Sequence, residues 1–426
     1  MARLFLCDEI FNDSFYVIIA PQVENNLKHL ANRKKSFELK KSVNNPKRRK
    51  TSDEQRALYI HIPFCTAKCR YCNFYSEPIA GHDAERFISA LIAEMNRYDL
   101  GKAIRTVYIG GGSPSCLPRE QLLRLVGEIT RRYPAVEEFT IEVNPGQVEK
   151  KILGQLRRVG VNRLSIGAQS FTQNELKFLG RGHSVEHIGQ AVREAKSAGF
   201  DNISLDLIFA IPGSTVQLWK YSLQSAIDLG VQHISAYSLT YEEGTPLQQV
   251  VAAGEVVAVD EEVDRVMYEM AIDELAKAGF EQYEISNFAR KGFECRHNLV
   301  YWANGPYIGI GPGAGSHWQG ERRTNIADIR KYAEMVQANA DVTVEKQRTE
   351  PLEIACETAV LNLRRRRGID LEEFKMKTGC DATVLFAEPV ERYKKMGLIG
   401  VGAGRVFLTR KALPIADSVL CDFSSL

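Results

Sequence analysis

From residue 57 onward, short β-rich runs alternate with amphipathic stretches, and this alternation restricts the fold more than any other feature. The runs are LYIHI (58–62), TVYIG (106–110), EFTIEV (138–143), RLSIGAQ (163–169), ISLDLIFA (203–210) and HISAYSL (233–239). Segments such as AERFISALIAEMNRY and PREQLLRLVGEITRRY lie between them, with apolar residues at helical spacing. Successive strands joined by helices pair in parallel. Six such units predict an α/β fold, an incomplete (β/α)6 barrel, with functional groups at the C-terminal strand ends. The polar motifs fall at those ends. A cysteine cluster follows the first run and GGGSP the second, Glu142 and Asn144 close the third, Gln169 closes the fourth, and Asp206 lies in the fifth.

The chain has 426 residues, enough for a barrel of about 200–250 residues plus a smaller unit. Its 44% apolar and 25% charged residues are those of a soluble globular protein, and a net charge of +2 points to no polyanionic partner. Residues 28–50 carry ten Lys and Arg against Glu38. Without interleaved aromatics this reads as a solvated, disordered extension over 1–54 rather than a nucleic-acid contact. FYVIIA (15–20) is too short to span a bilayer, and Asp8 and Glu9 precede it without a basic region, unlike an export signal. A cytoplasmic location is expected, with at most peripheral membrane contact.

Past residue 290 the alternation lapses. HNLVYWANGPYIGIGPGAGSHW (297–318) reads as irregular structure, part of a 291–345 segment over the barrel mouth. Residues 346–426 read as helices followed by a hairpin around GAGR, a winged-helix-like domain; RRRR (364–367) reads as a solvated helix end. The core barrel takes 55–290.

Nine cysteines, with Cys65, Cys69 and Cys72 crowded into C-x3-C-x2-C, are not a disulfide framework. Cys7, Cys116, Cys295, Cys356, Cys380 and Cys421 are scattered and read as buried small hydrophobes. Structural zinc wants four ligands, and no second pair is near. Three thiols on a [4Fe–4S] cluster leave one iron coordinatively open to a substrate or cofactor.

C-x3-C-x2-C after a first barrel strand, with Tyr71 before the third cysteine, resembles the radical S-adenosylmethionine (SAM) superfamily. LYIHIPFC, YIGGGSPS, TIEVNPG, GVNRLSIGAQSF, LGRGH, DLIFAIPGST, RHNLVYW and the tail LTRKALPIADSVLCDF resemble the oxygen-independent coproporphyrinogen III oxidase group, and within it the heme chaperone branch. This resemblance implies a [4Fe–4S] cluster on Cys65, Cys69 and Cys72, with SAM on the open iron. It implies SAM contacts from Tyr59, Tyr71, Gly111, Gly112, Ser113, Glu142, Gln169, Arg181 and Asp206. Glycines let backbone approach a ligand, and the Arg181 fork suits a carboxylate.

Two outcomes stand beside each other: a chaperone that binds heme and passes it to acceptor proteins, and the oxidase of porphyrin biosynthesis. The oxidase carries a further cysteine two residues after the third, where this chain has Phe74. HNLVYW resembles the motif that the chaperone branch associates with heme, which implies His297 as an axial ligand, with Tyr301 and Trp302 against the porphyrin. Cys295 is a weaker second ligand. The chain departs from the family's GPGAHS, reading GPGAGSHW, with Gly315 at the histidine position and His317 two residues later. The reading is the chaperone, with no catalytic residue assigned. A radical enzyme acting on another tetrapyrrole is a third outcome.

Overall fold

The computed structural model describes residues 56–98 and 103–424; the basic extension lies outside the described residues. Six parallel strands run side by side in chain order: β1 (Arg56–Ile62), β2 (Ile104–Gly111), β3 (Glu138–Val143), β4 (Arg163–Gln169), β5 (Ile203–Phe209) and β6 (His233–Ser238). Their crossovers carry α1 (Ala84–Met95), α2 (Arg119–Arg132), α3 (Lys150–Arg158), α4 (Gln173–Leu179), α5 (Val185–Ser197) and α6 (Val216–Asp228).

A period of two runs through these strands. Leu58, Ile60, Val107, Ile109, Phe139, Ile141, Leu164, Ile166, Leu205 and Leu207 are buried in the main apolar core with the helices. The alternate positions, Tyr59, His61, Thr106, Tyr108, Thr140, Glu142, Arg163, Ser165, Ser204, Asp206, His233 and Ser235, share the opposite face. That face is polar yet largely buried. Buried polar groups need partners, and several of these serve one another across strands: Tyr108 with Glu142, Ser165 and Ser235 with Asp206, and Ser204 with His233.

The sheet is open and extends past both edges. Beyond β6 runs β7 (Asn287–Ala289), antiparallel. Beyond β1 runs β8 (Tyr307–Ile310), parallel to it, then β9 (Gly315–Trp318), β10 (Glu321–Asn325) and β11 (Thr343–Arg348), each antiparallel to the last. The stretch 297–318 is therefore not irregular: it is helix α7 (Arg296–Trp302) followed by β8 and β9. Its glycines permit close strand contact, since a Cβ on Gly309 would lie 2.1 Å from the Gly315 carbonyl oxygen.

The C-terminal region is mostly helical. It begins with α8 (Pro351–Arg364), carries a hairpin, Ile399–Gly402 with Arg405–Leu408, and continues past the expected hairpin end into helical turns over Arg410–Ile415 and Ala416–Cys421. Ala403 and Gly404 both take positive φ (50° and 72°) in the two-residue loop, as a type I′ turn requires. Two further helices, Ala382–Leu385 and Ala387–Lys395, meet at Phe386. A bidentate ion pair docks this region on the sheet: Arg322 of β10 donates Nε to Glu357 Oε1 at 3.0 Å and Nη2 to Oε2 at 2.7 Å.

Candidate functional site

The cysteine loop leaves β1 at Pro63 and is tied at its base. Phe64–Cys65 pairs in parallel with Glu77–Pro78. Further along, Arg70 N–H donates to Leu179 O at 3.1 Å and Leu247 N–H to Arg70 O at 2.9 Å. Asn73 Nδ2 donates to Glu242 Oε2 at 2.9 Å. The loop is thus braced against segments that follow β4 and β6.

Cys65, Cys69 and Cys72 line a cavity of about 190 Å³ at the C-terminal ends of the strands. Tyr71, Gly111, Gly112, Ser113, Glu142, Gln169, Arg181 and Asp206 line it too. Gly112 must be glycine, because a Cβ there would meet Phe64 O at 2.5 Å. Ser113 Oγ donates to Gln147 Oε1 at 2.7 Å and accepts from Asn144 Nδ2 at 2.8 Å. Glu142 accepts from Tyr108 OH at 2.8 Å and Gly111 N–H at 3.1 Å, while burial pushes its carboxyl up to about 7. Asp206, also shifted up by burial, accepts from Ser235 at 2.7 Å and Ser165 at 3.0 Å. Gln169 holds φ 65°, left-handed backbone at the cavity wall. Arg181 donates Nη1 to Cys69 Sγ at 3.5 Å and Nη2 to Gly167 O at 2.9 Å and to Asn144, while its buried Nε has no partner.

This donor set fits an iron–sulfur cluster. Burial pushes the thiols of Cys65 and Cys72 up, Cys72 to about 12, so thiolates there need a compensating positive centre. Among the described residues no three His, Cys, Asp or Glu side chains group around one metal ion. A cubane does not need that, because each thiolate binds a different iron. The unpartnered Nε of Arg181 offers a buried donor to an anionic group in the same cavity.

Two expected site residues lie elsewhere. Tyr59 is buried behind the lining, its hydroxyl 2.9 Å from His61 Nδ1. Gly111 packs on that imidazole, where a Cβ would come within 2.4 Å of the ring. His297, on α7, is fully buried and away from the cavity lining. Its Nδ1 is 3.0 Å from Thr106 Oγ1 and its Nε2 2.8 Å from Tyr301 OH, so both ring nitrogens are engaged. Iron ligation by His297 requires exchanging one of those bonds. Phe74, Asn144, Ser165, Tyr237 and Thr240 also line the cavity. Of these, Ser165 is legible from its in-phase position in β4, and Tyr237 and Thr240 from their place at the end of β6. Glu242 gives no local signal.

Burial holds His61 and His183 down to about 4, His297 to about 3 and His233 well below its usual value. The unfolded chain takes up these protons near 6.5. The fold does not, so stability falls as pH drops from 6.5 toward 4. Glu94 and Glu142, both raised to about 7, oppose this: their folded forms hold protons, which adds stability as pH falls below 7. Asp206, Glu242, Asp264 and Glu284 are raised by burial as well and act in the same sense as the two glutamates. Carboxyls and imidazoles therefore offset one another, and Tm should change less between pH 7 and pH 5 than the imidazoles alone require, which a melt series over that range checks.

Residues 59–225 match the family model of the radical SAM superfamily, and residues 350–415 that of the HemN C-terminal domain. The fold is similar to the solved structure of coproporphyrinogen III oxidase (HemN) from Escherichia coli, with a TM-score of 0.76 over 87% of this chain and 90% of that one, at 21% identity. Fold and matches define a radical SAM protein with a HemN-type C-terminal domain. Heme chaperone HemW of Lactococcus lactis is 34% identical over 373 residues, 86% of this chain and 97% of that one. HemW of Bacillus subtilis is 33% identical over 382 residues, 86% and 99%. A zebrafish (Danio rerio) protein named radical S-adenosyl methionine domain-containing protein 1, mitochondrial, is 33% identical over 335 residues, 76% of each. The chain belongs to the HemW heme chaperone family.

Proposed function

We propose that this protein is a heme chaperone that holds a [4Fe–4S] cluster and SAM, binds heme and delivers it to acceptor proteins. The observation that carries this reading is Phe74. It lines the cavity with the three cysteines, where the oxidase group has a further thiol, and a phenyl ring neither ligates iron nor moves a proton. The names of the Lactococcus and Bacillus relatives support it.

In this reading a cluster with SAM on its open iron supplies one-electron reducing chemistry when bound. Arg181 takes a carboxylate on its planar fork. Glu142 and Asp206 accept from ammonium or hydroxyl groups. Gly111, Gly112 and Ser113 present backbone, Tyr71 stacks on the adenine, and Gln169 adds an amide. Tyr59 acts one layer back by orienting His61 beneath Gly111. His297 is the proposed heme ligand, on a helix that must shift to free Nε2. The acceptors are proteins, not nucleic acid. Among the described residues no helix is long and apolar enough to cross a membrane, and contact with membranes is at most peripheral. The proposed location is the cytoplasm; a fluorescent fusion found in mitochondria would overturn that.

Reconstituted protein incubated anaerobically with SAM, dithionite and coproporphyrinogen III is expected to form no protoporphyrinogen; turnover would overturn the chaperone reading. Heme titration should give a Soret band that differs between the parent and His297→Ala, and identical spectra would remove His297 from the heme site.

A further inference from the structure

A file of aromatic rings runs through the barrel interior. From Tyr75 the ring centroids step 6.4 Å to His61, 5.9 Å to Tyr59 and 6.3 Å to Tyr108. A branch continues 5.3 Å to His297 and 5.0 Å to Tyr301. Phenylalanine would fill these positions equally well. Instead each hydroxyl faces a base. Tyr108 donates to Glu142 at 2.8 Å, Tyr59 lies 2.9 Å from His61 Nδ1, and Tyr75 donates to Glu77 Oε1 at 2.8 Å. His61 Nε2 faces the Tyr75 carbonyl at 2.9 Å, an acceptor only, so the proton sits on Nε2 and Nδ1 is free to accept from Tyr59. Glu142 lines the cavity, Tyr59 and Tyr108 are buried, and Tyr75 is half-buried. The file therefore connects the cysteine cavity to the surface.

We propose that Tyr108, Tyr59 and Tyr75 form a proton-coupled relay that carries one-electron oxidising equivalents from the cavity to solvent. Tyrosine is oxidised only well above the range of iron–sulfur couples. The relay is therefore silent toward a cluster's ordinary electron transfer and answers only to strong oxidants, such as the hydroxyl radical formed when hydrogen peroxide meets ferrous iron. That radical takes one electron from Tyr108 and leaves as hydroxide, while the phenolic proton passes to Glu142. Tyr59 returns an electron to Tyr108, which recovers its proton from Glu142, and the Tyr59 proton moves to His61 Nδ1. Tyr75 gives an electron to Tyr59 across the His61 ring, Tyr59 recovers its proton from His61 Nδ1, and the Tyr75 proton moves to Glu77. A water-soluble reductant such as ascorbate supplies the final electron at Tyr75, which recovers its proton from Glu77, and the proton that ascorbate releases reaches the hydroxide through solvent. The sum is hydroxyl radical, one electron and one proton to water. The cysteines and Phe74 are spared.

The test uses full-length, cluster-reconstituted protein containing ring-deuterated tyrosine, mixed anaerobically with hydrogen peroxide and freeze-quenched. A tyrosyl radical signal, narrowed by the deuterium, is expected by electron paramagnetic resonance. With ascorbate present, mass spectrometry should find little oxidation of the peptide carrying Tyr71 and Phe74. In Tyr59→Phe and in Tyr75→Phe that oxidation should rise several-fold. Both keep the ring; Tyr75→Phe removes a half-buried hydroxyl that also accepts from Ile329 N–H at 3.1 Å, so folding is checked by circular dichroism. No tyrosyl signal in the parent, or unchanged peptide oxidation in both variants, would overturn the relay. Iron analysis before mixing separates this from failure of the cluster assignment, which removes the oxidant's source and the proposal with it.

Discussion

Replacing any one of Cys65, Cys69 and Cys72 with alanine is expected to strip the reconstituted protein of nearly all its iron and of its visible cluster absorption. The three thiols line one cavity on a loop fixed at several points, by the Phe64–Cys65 pairing with Glu77–Pro78 and by the Arg70 backbone bonds to Leu179 and Leu247. Loss of one thiol leaves a second iron without a protein ligand, and the braced loop has no slack to bring another cysteine in. Cys116, also near this end of the barrel, does not line the cavity. Far-ultraviolet circular dichroism should change little, since the loop contributes no long helix or strand. A variant that retains parent iron and sulfide content would show that the cluster is held elsewhere.

Arg322→Ala is expected to destabilise the protein by about 3–5 kcal/mol, the usual cost of removing one partner of a buried ion pair. Side-chain exposure is 5% for Arg322 and 12% for Glu357, so water cannot solvate the carboxylate left behind. The guanidinium is also placed to raise no packing problem of its own: its fork matches the carboxylate at 2.7 and 3.0 Å. Because the pair joins β10 to α8, the loss should fall on the docking of the C-terminal region. Chemical denaturation should show a lower midpoint and a separate early transition. An Arg322→Ala, Glu357→Gln double variant should recover part of the loss, because the orphaned charge is gone. Equal denaturation midpoints for parent and single variant would refute the assignment.

The barrel was legible because two signals agreed along the chain. The strand runs carry a period of two, and the polar phase of that period, Tyr59, Tyr108, Glu142, Ser165 and Asp206, is the phase that faces inward. Of that phase Glu142, Ser165 and Asp206 line the cavity, while Tyr59 and Tyr108 lie behind it; Tyr71, Gly112, Ser113 and Arg181 were expected only from the family resemblance. The misread stretch shows the limit. Glycine marks a turn and also marks two backbones in contact, and in 305–315 the second meaning applies: Gly309 abuts Gly315. Local sequence does not separate the two. His297 illustrates a different limit. The motif resemblance implied an axial ligand and carried no information on its surroundings, whereas Thr106, distant in sequence, engages Nδ1. The Asn73–Glu242 bond spans a similar distance and left no trace in either segment. Partners that the chain brings together across the barrel are visible only once the strands are ordered.

The pairing of β8 with β1 also has a consequence for biosynthesis. Leu58 is in register with Ile308, a partner about 250 residues later in the chain. Until that segment leaves the ribosome, one edge of β1 has no neighbour, and an unpaired strand edge invites association with other chains. The cysteine loop hangs from this same strand. Its anchorage is therefore among the last parts of the barrel to be completed, since contacts of such long range are slow to close. If the proposed cluster is bound, its insertion is expected only after release of the full chain, and a truncation before residue 307 should yield a protein that aggregates rather than one that carries iron.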